Sequence, residues 1–292
     1  MHTVFNKNKH PFVVSRIILN SLSNIITMPH ININGFDLYY EDTGGTGKET
    51  IVFSHGLLWS GKMFAAQVEH LKSCYRVVTY DHRGQGQSEV TSTGYDMDTL
   101  TGDAVALINA LGVAPCHFAG LSMGGFVAMR LAARHPELVK SLILMETSAQ
   151  PEPQENIPKY NLLNNIVKLL GTWPVKGAVM KIMFGQKFLG DASRETLRNY
   201  WVNELLKNKR SITRAVVGVT TRKGVEEELP NIKCPTLVIV GDQDVATVPD
   251  KAKFIHGKIP QSKLVIIPGA GHSSSVEEPK LVNNAIDEFL AK

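Results

Sequence analysis

Cysteine is scarce in this sequence of 292 residues, and its spacing excludes two common kinds of cross-linked domain. The three cysteines, Cys74, Cys116 and Cys234, lie far apart, and no C-x-x-C pair occurs. A dispersed, odd-numbered set argues against a disulfide framework and against a zinc ribbon. We therefore expect buried thiols in a reducing compartment, which indicates a cytoplasmic protein.

The sequence also lacks a strong charge of either sign. It has 31 Lys and Arg residues against 27 Asp and Glu, a net charge of +4, and the basic residues are scattered. No basic stripe is interleaved with aromatic residues, so we expect no nucleic-acid partner. Hydrophobic residues make up 43% of the chain, an ordinary globular composition that can bury a large core.

Long uninterrupted apolar runs are missing, and acidic residues are missing from the start of the chain. The stretch FVVSRIILNSLSNIITM is broken by Ser, Arg and Asn and is too short to span a membrane, so we expect no stable membrane insertion. Residues 1–36 contain no Asp or Glu. We interpret residues 1–28 as an N-terminal extension outside the fold, with Met28 as an alternative start.

From residue 37 onward, short apolar runs alternate with amphipathic stretches. FDLYYE alternates in polarity, which predicts an edge strand, whereas TIVFS is continuously apolar, as in a strand buried on both faces. Helical spacing follows at 61–72 and 97–111, and strand patterns occur at 75–80 and 141–146. This alternation predicts a parallel sheet with helices on both faces.

The rhythm breaks between residues 151 and 230, where the sequence predicts helices and no clear strands. Strand patterns resume at PTLVIVG and KLVIIPG, and a final helix is predicted over 276–290. We interpret 151–230 as a helical cap inserted into a core made of 29–150 and 231–292, because insertions of this length carry their own structure and often function. The alternative is that these helices complete one compact domain.

A nucleophile motif, G-x-S-x-G, occurs as Gly120-Leu121-Ser122-Met123-Gly124. The motif alone is a weak signal, but here an apolar strand precedes it and a helix follows at once, as a nucleophile elbow requires. The flanking glycines let neighbouring chain approach without a Cβ clash, and the helix N-terminus brings free N–H groups beside the serine oxygen. Ser122 is the predicted nucleophile.

A serine hydroxyl needs a base, and the base needs a carboxylate that orients it. His272 follows the strand KLVIIP, at the carboxyl edge of the sheet where sites form. The loop GDQDVATVP follows another strand and offers Asp244, which we favour, and Asp242, which we expect to brace its own turn. Glu146, after a third strand, is a competing carboxylate.

The loop HGLL after the strand TIVFS lies where a second oxyanion donor is needed. We expect the backbone N–H groups of Leu57 and Met123 to form an oxyanion hole, with His55 holding the loop. The glycine-rich stretch YDHRGQGQSE has neither the G-K-[ST] ending nor the G-x-G-x-x-G spacing of a phosphate loop. We interpret it as a structural loop that braces the site.

Five motifs in the order HGLL, YDHRGQGQS, GLSMGG, GDQDVATVP and PGAGHSS make the chain from about residue 30 to its end resemble an α/β-hydrolase fold enzyme. The last two look most like 3-oxoadipate enol-lactonase and related small-ester hydrolases. The resemblance implies a mostly parallel eight-stranded sheet flanked by helices, an inserted helical cap and a Ser122–His272–Asp244 triad. The N-terminal extension and the aromatic, Met-rich cap depart from the lactonase pattern.

These motifs predict a serine hydrolase that cleaves ester or lactone bonds of a small molecule through an acyl-enzyme, with no metal or organic cofactor. A cofactor-free perhydrolase (haloperoxidase) and a carbon–carbon bond hydrolase share the same triad and remain alternatives. A ligand receptor that keeps the pocket is a third alternative. An aspartate would stand at the elbow of a haloalkane dehalogenase or an epoxide hydrolase, and Ser122 argues against both.

Overall fold

A computed structural model describes residues 29–291. Eight strands form a single sheet. The strands are β1 His30–Ile33, β2 Phe36–Asp42, β3 Thr50–Ser54, β4 Arg76–Tyr80, β5 Cys116–Leu121, β6 Val139–Met145, β7 Thr236–Gly241 and β8 Ser262–Ile267.

The strand order in the sheet is β1-β2-β4-β3-β5-β6-β7-β8. The pairs β1–β2 and β2–β4 are antiparallel, and every pair from β4 to β8 is parallel. β3, β5 and β7 are buried at every position, as their continuous apolar sequences predict. The carboxyl ends of six parallel strands therefore meet at one edge, and the loops that follow them lie side by side.

Helices cover both faces of this sheet and divide the apolar interior into two cores. The helices outside the segment 151–230 are α1 Ala65–Leu71, α2 Met97–Leu111, α3 Met123–Arg134, α9 Pro249–Lys258, α10 Ser274–Glu277 and α11 Pro279–Leu290. One core lies among α2, α3 and α9, and the other lies among α1, α11 and the helices between β6 and β7. The predicted α/β architecture with a mostly parallel eight-stranded sheet is confirmed.

Five α-helices and short 3₁₀ turns separate β6 from β7. They are α4 Ile157–Leu170, α5 Lys176–Met183, α6 Gln186–Gly190, α7 Glu195–Leu206 and α8 Ile212–Thr220. All residues between 151 and 230 are described, and this segment contains no strand, as the sequence predicts. The division into core and cap stays a prediction, and the extension 1–28 lies outside the described residues.

The structure corrects two predictions. FDLYYE, now β2, is an inner strand, because β1 pairs with it and forms the edge of the sheet. The β1–β2 turn is Asn34-Gly35, and both residues have positive φ, 49° and 78°, which is the preferred chemistry of a two-residue hairpin. The three thiols are free, but Cys74 is exposed, so the expectation that all three are buried is wrong.

Candidate active site

The turn between β5 and α3 holds Ser122 in a backbone conformation that few residues adopt. Its φ is 53° and its ψ is −112°, although it is not glycine. The Ser122 N–H donates to the carbonyl of Met145 on the neighbouring strand (2.9 Å), and the Ser122 carbonyl accepts the Thr147 hydroxyl (2.9 Å). A strained φ of this kind persists only where surrounding contacts hold it, and here it points to function.

The glycines of the motif are required by the space around the turn. A Cβ atom on Gly120 would lie 2.2 Å from the carbonyl oxygen of Gly124, and one on Gly124 would lie 2.0 Å from the carbonyl oxygen of Ser54. No real Cβ approaches backbone so closely, so only glycine fits at either position. The expectation that glycine prevents Cβ clashes at this turn is confirmed.

A chain of two hydrogen bonds joins Ser122 to the loops that follow β7 and β8. The His272 Nε2 atom lies 2.8 Å from Ser122 Oγ, and His272 Nδ1 lies 2.8 Å from Asp244 Oδ2. His272 and Asp244 are each only 3% exposed. This arrangement places a base beside a hydroxyl and a carboxylate behind the base, which is the geometry that activates a serine nucleophile.

The turn after β7 fixes the carboxylate of Asp244. Its Oδ1 accepts the backbone N–H groups of Ala246 (2.8 Å) and Thr247 (3.0 Å), and its Oδ2 accepts the Thr247 hydroxyl (2.8 Å). Thr247 Oγ1 also lies 3.3 Å from His272 Nδ1. The sequence reasoning missed Thr247, although an Asp followed three residues later by Thr in a turn is a recognisable local pattern.

The two competing carboxylates have other contacts. Asp242 accepts the backbone N–H of Gly269 (2.7 Å), so it braces the turn after β8 rather than its own turn. Glu146 is fully buried at a φ of 42° and forms no ion pair with a residue between 29 and 291. Burial raises the pKa of Glu146 well above its ordinary value, which favours the neutral carboxyl.

A further carboxylate, Glu277, holds the histidine loop in place, and the sequence reasoning missed it. Its Oε1 accepts the N–H groups of Gly271 (3.0 Å) and Ser273 (3.1 Å), on either side of His272. Its Oε2 accepts the N–H of Gly185 (2.8 Å), between α5 and α6. Burial raises the pKa of Glu277 to about 7, although these three donors act in the opposite direction.

The loop after β3 approaches the nucleophile closely. A Cβ on Gly56 would lie 3.4 Å from the Ser122 Cβ. Leu58 has a positive φ of 75°, and its N–H donates to Gln85 Oε1 (2.8 Å). The backbone N–H groups of Leu57 and Met123, the predicted oxyanion donors, meet no acceptor within the part of the chain that the structure describes. Their role as oxyanion donors stays a prediction.

Two histidines near the site have structural contacts. His55 Nδ1 donates to the carbonyl of Gly56 (2.7 Å), and His55 Nε2 accepts the backbone N–H of His82 (2.9 Å). His82 Nε2 lies 2.9 Å from the hydroxyl of Ser54, and sequence reasoning had not considered this residue. Burial lowers the pKa of both imidazoles, so both are neutral at pH 7.

In the glycine-rich loop after β4, the carboxylate of Asp81 takes the position that a bound anion would need. Asp81 accepts the N–H groups of Gly61 and Gln87, each at 2.8 Å, and a Cβ on Gly86 would lie 2.0 Å from the carboxylate. An anion cannot be cradled where a carboxylate already takes the N–H donors. Asp81, together with the Gln85 contact to Leu58, braces the loop after β3.

A largely apolar cavity of about 110 Å³ extends from Ser122 and His272 between α4, α5 and α8. Its apolar lining consists of Leu57, Leu58, Phe126, Leu163, Val167, Val175, Val179, Ile182, Met183, Ile212, Val216, Val219 and Ala246. The polar exceptions include a buried ion pair, Arg222 to Glu152 (2.9 Å), and Tyr160, whose pKa burial raises to about 12. A site of this composition suits a small ligand with an apolar body.

The described residues offer no site for a metal ion. Between residues 29 and 291, no three His, Cys, Asp or Glu side chains are grouped so that they could hold one. No helix in that range is both long enough and apolar enough to cross a membrane.

Comparison with known proteins decides the family. Residues 49–279 match the family model described as alpha/beta hydrolase fold. The chain belongs to the α/β hydrolase fold family. The resemblance inferred from the five motifs is therefore confirmed, and membership of this family supports hydrolase activity.

The relatives of this α/β hydrolase are named for different chemistries. A protein of Caulobacter sp. (strain K31) named as a carbamate hydrolase is 28% identical over 262 residues, covering 87% of this chain and 96% of the relative. The crystal structure of an enol-lactonase from Burkholderia xenovorans LB400 superposes with a TM-score of 0.83 at 27% identity, covering 90% of this chain and all of that one. The structure of a bromoperoxidase from Bacillus anthracis gives 0.79 at 26% identity, covering 91% and 99%.

Proposed function

We propose that this α/β hydrolase cleaves carboxylic ester or lactone bonds through an acyl-enzyme on Ser122. One observation carries the proposal: the hydrogen-bonded chain from Ser122 through His272 to Asp244, with both links at 2.8 Å, lies beside the largely apolar cavity. A hydroxyl, an imidazole and a carboxylate in this order are the parts that acyl transfer needs.

In the first half-reaction, His272 Nε2 accepts the hydroxyl proton as Ser122 Oγ attacks the carbonyl carbon. Asp244 holds the tautomer that keeps the proton on Nδ1 and offsets the charge of the imidazolium. The tetrahedral intermediate places its oxyanion toward the N–H groups of Leu57 and Met123. The C–O bond then breaks, and His272 donates its proton to the leaving alcohol.

In the second half-reaction, a water molecule replaces the alcohol. His272 accepts a proton from the water, which attacks the acyl carbon of the ester on Ser122. The same two N–H donors stabilise the second oxyanion, and the collapse of this intermediate returns the proton to Ser122 and releases the acid. The side chains and backbone named here supply every group in the cycle, so we propose that no cofactor takes part.

We also propose that the segment 151–230 acts as a cap that supplies most of the substrate pocket. Three of its helices, α4, α5 and α8, line the cavity beside Ser122. Their side chains in the cavity are mainly Leu, Ile, Val and Met, which favours medium acyl or aromatic groups over highly charged ones. The enol-lactonase among the similar structures is compatible with lactones as a second group of substrates.

A fluorophosphonate probe tests this proposal, because an activated serine displaces fluoride and keeps the phosphonyl group. We expect the adduct mass on the peptide that contains Ser122. Asp244→Asn should slow labelling by at least about 100-fold, because the imidazole loses its orienting carboxylate. Asp242→Asn is the matched control and should label at the wild-type rate, since an amide oxygen still accepts the Gly269 N–H. Labelling elsewhere, or an unaffected Asp244→Asn variant, contradicts the proposal.

Perhydrolysis is the second candidate, favoured by the bromoperoxidase among the similar structures. In this reaction hydrogen peroxide replaces water as the attacking group and releases a peracid, which then oxidises bromide. Assays with acetate, peroxide and bromide measure bromination directly. Peroxide-dependent bromination that Ser122→Ala abolishes would assign this activity to the same serine, and no bromination in wild type would exclude it.

A further inference from the structure

The helix α4 carries apolar side chains on its cavity side and also on its exposed side. One side, with Leu163 and Val167, lines the cavity beside Ser122. The other side carries Leu162 and Leu169, seven residues apart and therefore on one stripe, and they are 62% and 69% exposed. The exposed side of a surface helix is normally polar. The two leucines on the exposed side of α4 depart from this pattern, and no described residue covers them.

Two more large apolar side chains extend this exposed surface, one at the end of α4 and one just beyond it. Leu170 is 65% exposed, and Trp173, in the 3₁₀ turn that follows, is 67% exposed. The other two tryptophans of the chain, Trp59 and Trp201, are each 4% exposed. We call the four exposed side chains Leu162, Leu169, Leu170 and Trp173 the outer cap stripe.

The sequence that carries the outer cap stripe is basic. Residues 156–190 contain five lysines and no Asp or Glu, which exceeds the net charge of +4 for the whole chain. Lys159 precedes Leu162 by one helical turn, and the ammonium group of Lys176 lies 5.1 Å from the centre of the Trp173 ring. Lys168 and Lys181 lie on the same two helices, α4 and α5.

These lysines differ from many others in the described chain because no carboxylate neutralises them. Between residues 29 and 291, Lys159, Lys168, Lys176 and Lys181 form no ion pair. Elsewhere, Lys62 pairs with Glu204, and other exposed lysines have partners in the same way. Exposed leucines beside unpaired lysines and an interfacial tryptophan are the composition that binds the surface of an anionic bilayer.

We propose that the outer cap stripe and its lysines dock this protein on an anionic lipid surface, without spanning it. A second copy of this chain, residues 1–28 and a lipid surface could each cover the outer cap stripe, and their charges distinguish them. A second copy would bring the same lysines face to face, and like charges in contact oppose association. Residues 1–28 also contain basic residues and no acidic ones, so this segment repels the stripe as well. An anionic surface complements the lysines, and its acyl region accepts the leucines.

Vesicle sedimentation of the full chain tests the proposal. We expect binding to vesicles of phosphatidylcholine mixed with phosphatidylglycerol, and at least about tenfold weaker binding to pure phosphatidylcholine. Added salt should weaken the binding because it screens the lysines. Trp173 is the only exposed tryptophan among the described residues, so its emission should shift to shorter wavelength on binding.

Two double variants separate the apolar and the charged contribution. Leu162→Ser with Leu169→Ser, and Lys159→Glu with Lys176→Glu, should each lower the affinity for the mixed vesicles by at least about tenfold. The matched controls lie on α11, where Lys280 and Leu281 are also exposed. Lys280→Glu and Leu281→Ser should bind as wild type does. Circular dichroism and hydrolysis of a water-soluble ester confirm that each variant is folded, whatever its binding.

Three outcomes would overturn the proposal. The first is no sedimentation with the mixed vesicles, and the second is equal loss of binding in the α11 controls. The third is a concentration-dependent dimer, measured by analytical ultracentrifugation without lipid, that the α4 variants dissociate. That last result would assign the outer cap stripe to contacts between copies of this chain.

Discussion

A fully buried carboxyl group without an opposite charge beside it is costly in its ionised form, and Glu146 is buried in this way. Its neighbours include Asp244 and Glu277, whose negative charges raise the pKa of Glu146 further, after the dominant effect of burial. Burial therefore favours the neutral form of Glu146 in the folded protein. At the scale of single residues, this makes the stability of the fold depend on pH through Glu146.

Glu146→Gln tests this dependence. Because the pKa of Glu146 is higher in the folded state, its favourable contribution is complete below its ordinary pKa and is lost as pH rises toward the folded value. Gln takes up no proton, so Glu146→Gln should gain stability relative to wild type by about 1.4 kcal/mol per pH unit above an ordinary pKa of 4.5. Urea unfolding at a series of pH values measures the difference, and a difference independent of pH would contradict it.

At the scale of elements, the turn between β5 and α3 depends on backbone contacts that leave no room for a methyl group. α3 packs against β3 so closely that Gly124 meets the carbonyl of Ser54. This contact fixes the start of α3 relative to the loop after β3, and so fixes the two N–H groups proposed as oxyanion donors. The close packing thus connects the glycine pattern in the sequence to the proposed chemistry.

Gly124→Ala should destabilise the protein by about 3 kcal/mol or more, because the new methyl group forces β3 and α3 apart. Gly102→Ala is the matched control. Gly102 lies within α2, and a Cβ there meets nothing within 4 Å. Alanine in that helix should stabilise the protein by about 0.5–1 kcal/mol. Chemical denaturation of both variants gives the comparison, and similar stabilities would show that the elbow tolerates a side chain.

Much of the fold was predictable because most of its strands and helices have a recognisable local sequence pattern. Buried parallel strands appear as continuous apolar runs, and the predicted bounds of α2, 97–111, match the observed ones. Ser122, Asp244 and His272 were identifiable because each follows a strand of the parallel sheet, and the carboxyl ends of such strands meet at one edge. The edge strand β1 was missed because it has only four residues, although Asn34-Gly35 is a strong hairpin signal.

Other features depend on contacts between distant parts of the chain, and no local pattern reveals them. Glu277 bonds to Gly185, 92 residues earlier, and this pairing exists only once the helices between β6 and β7 have packed on the sheet. His82 reaches Ser54 only because β3 and β4 are neighbours in the sheet. The exposure of Cys74 and the free outer side of α4 likewise follow from packing and not from composition.

At the scale of the whole molecule, the sheet separates two apolar cores, and the helices between β6 and β7 close one of them over the site. Trp59, Phe184, Phe188 and Trp201 form an aromatic cluster in this core, with Phe184 and Phe188 stacked at 4.8 Å. This cluster joins the loop after β3 to α6 and α7. These aromatic contacts pack the helices between β6 and β7 onto the edge of the sheet. The cavity lies between this edge and those helices.

A series of p-nitrophenyl esters tests the apolar pocket at this scale. We expect kcat/KM to rise from acetate to medium acyl chains, because each added methylene buries apolar surface worth about 0.8 kcal/mol. It should then fall when the chain exceeds the cavity. Succinate half-esters are the charged control and should react more slowly than butyrate. Fastest turnover on acetate, with a decline thereafter, would contradict a deep apolar pocket.

The most direct test of the central claim is kcat/KM of Ser122→Ala on the best ester of that series, measured beside Ser141→Ala. Ser141 is a buried serine on β6, and it does not line the cavity. Its hydroxyl lies 2.7 Å from His117 Nδ1. We predict that Ser122→Ala loses at least about four orders of magnitude with its fold intact, while Ser141→Ala retains turnover. Unchanged hydrolysis by Ser122→Ala would contradict the account.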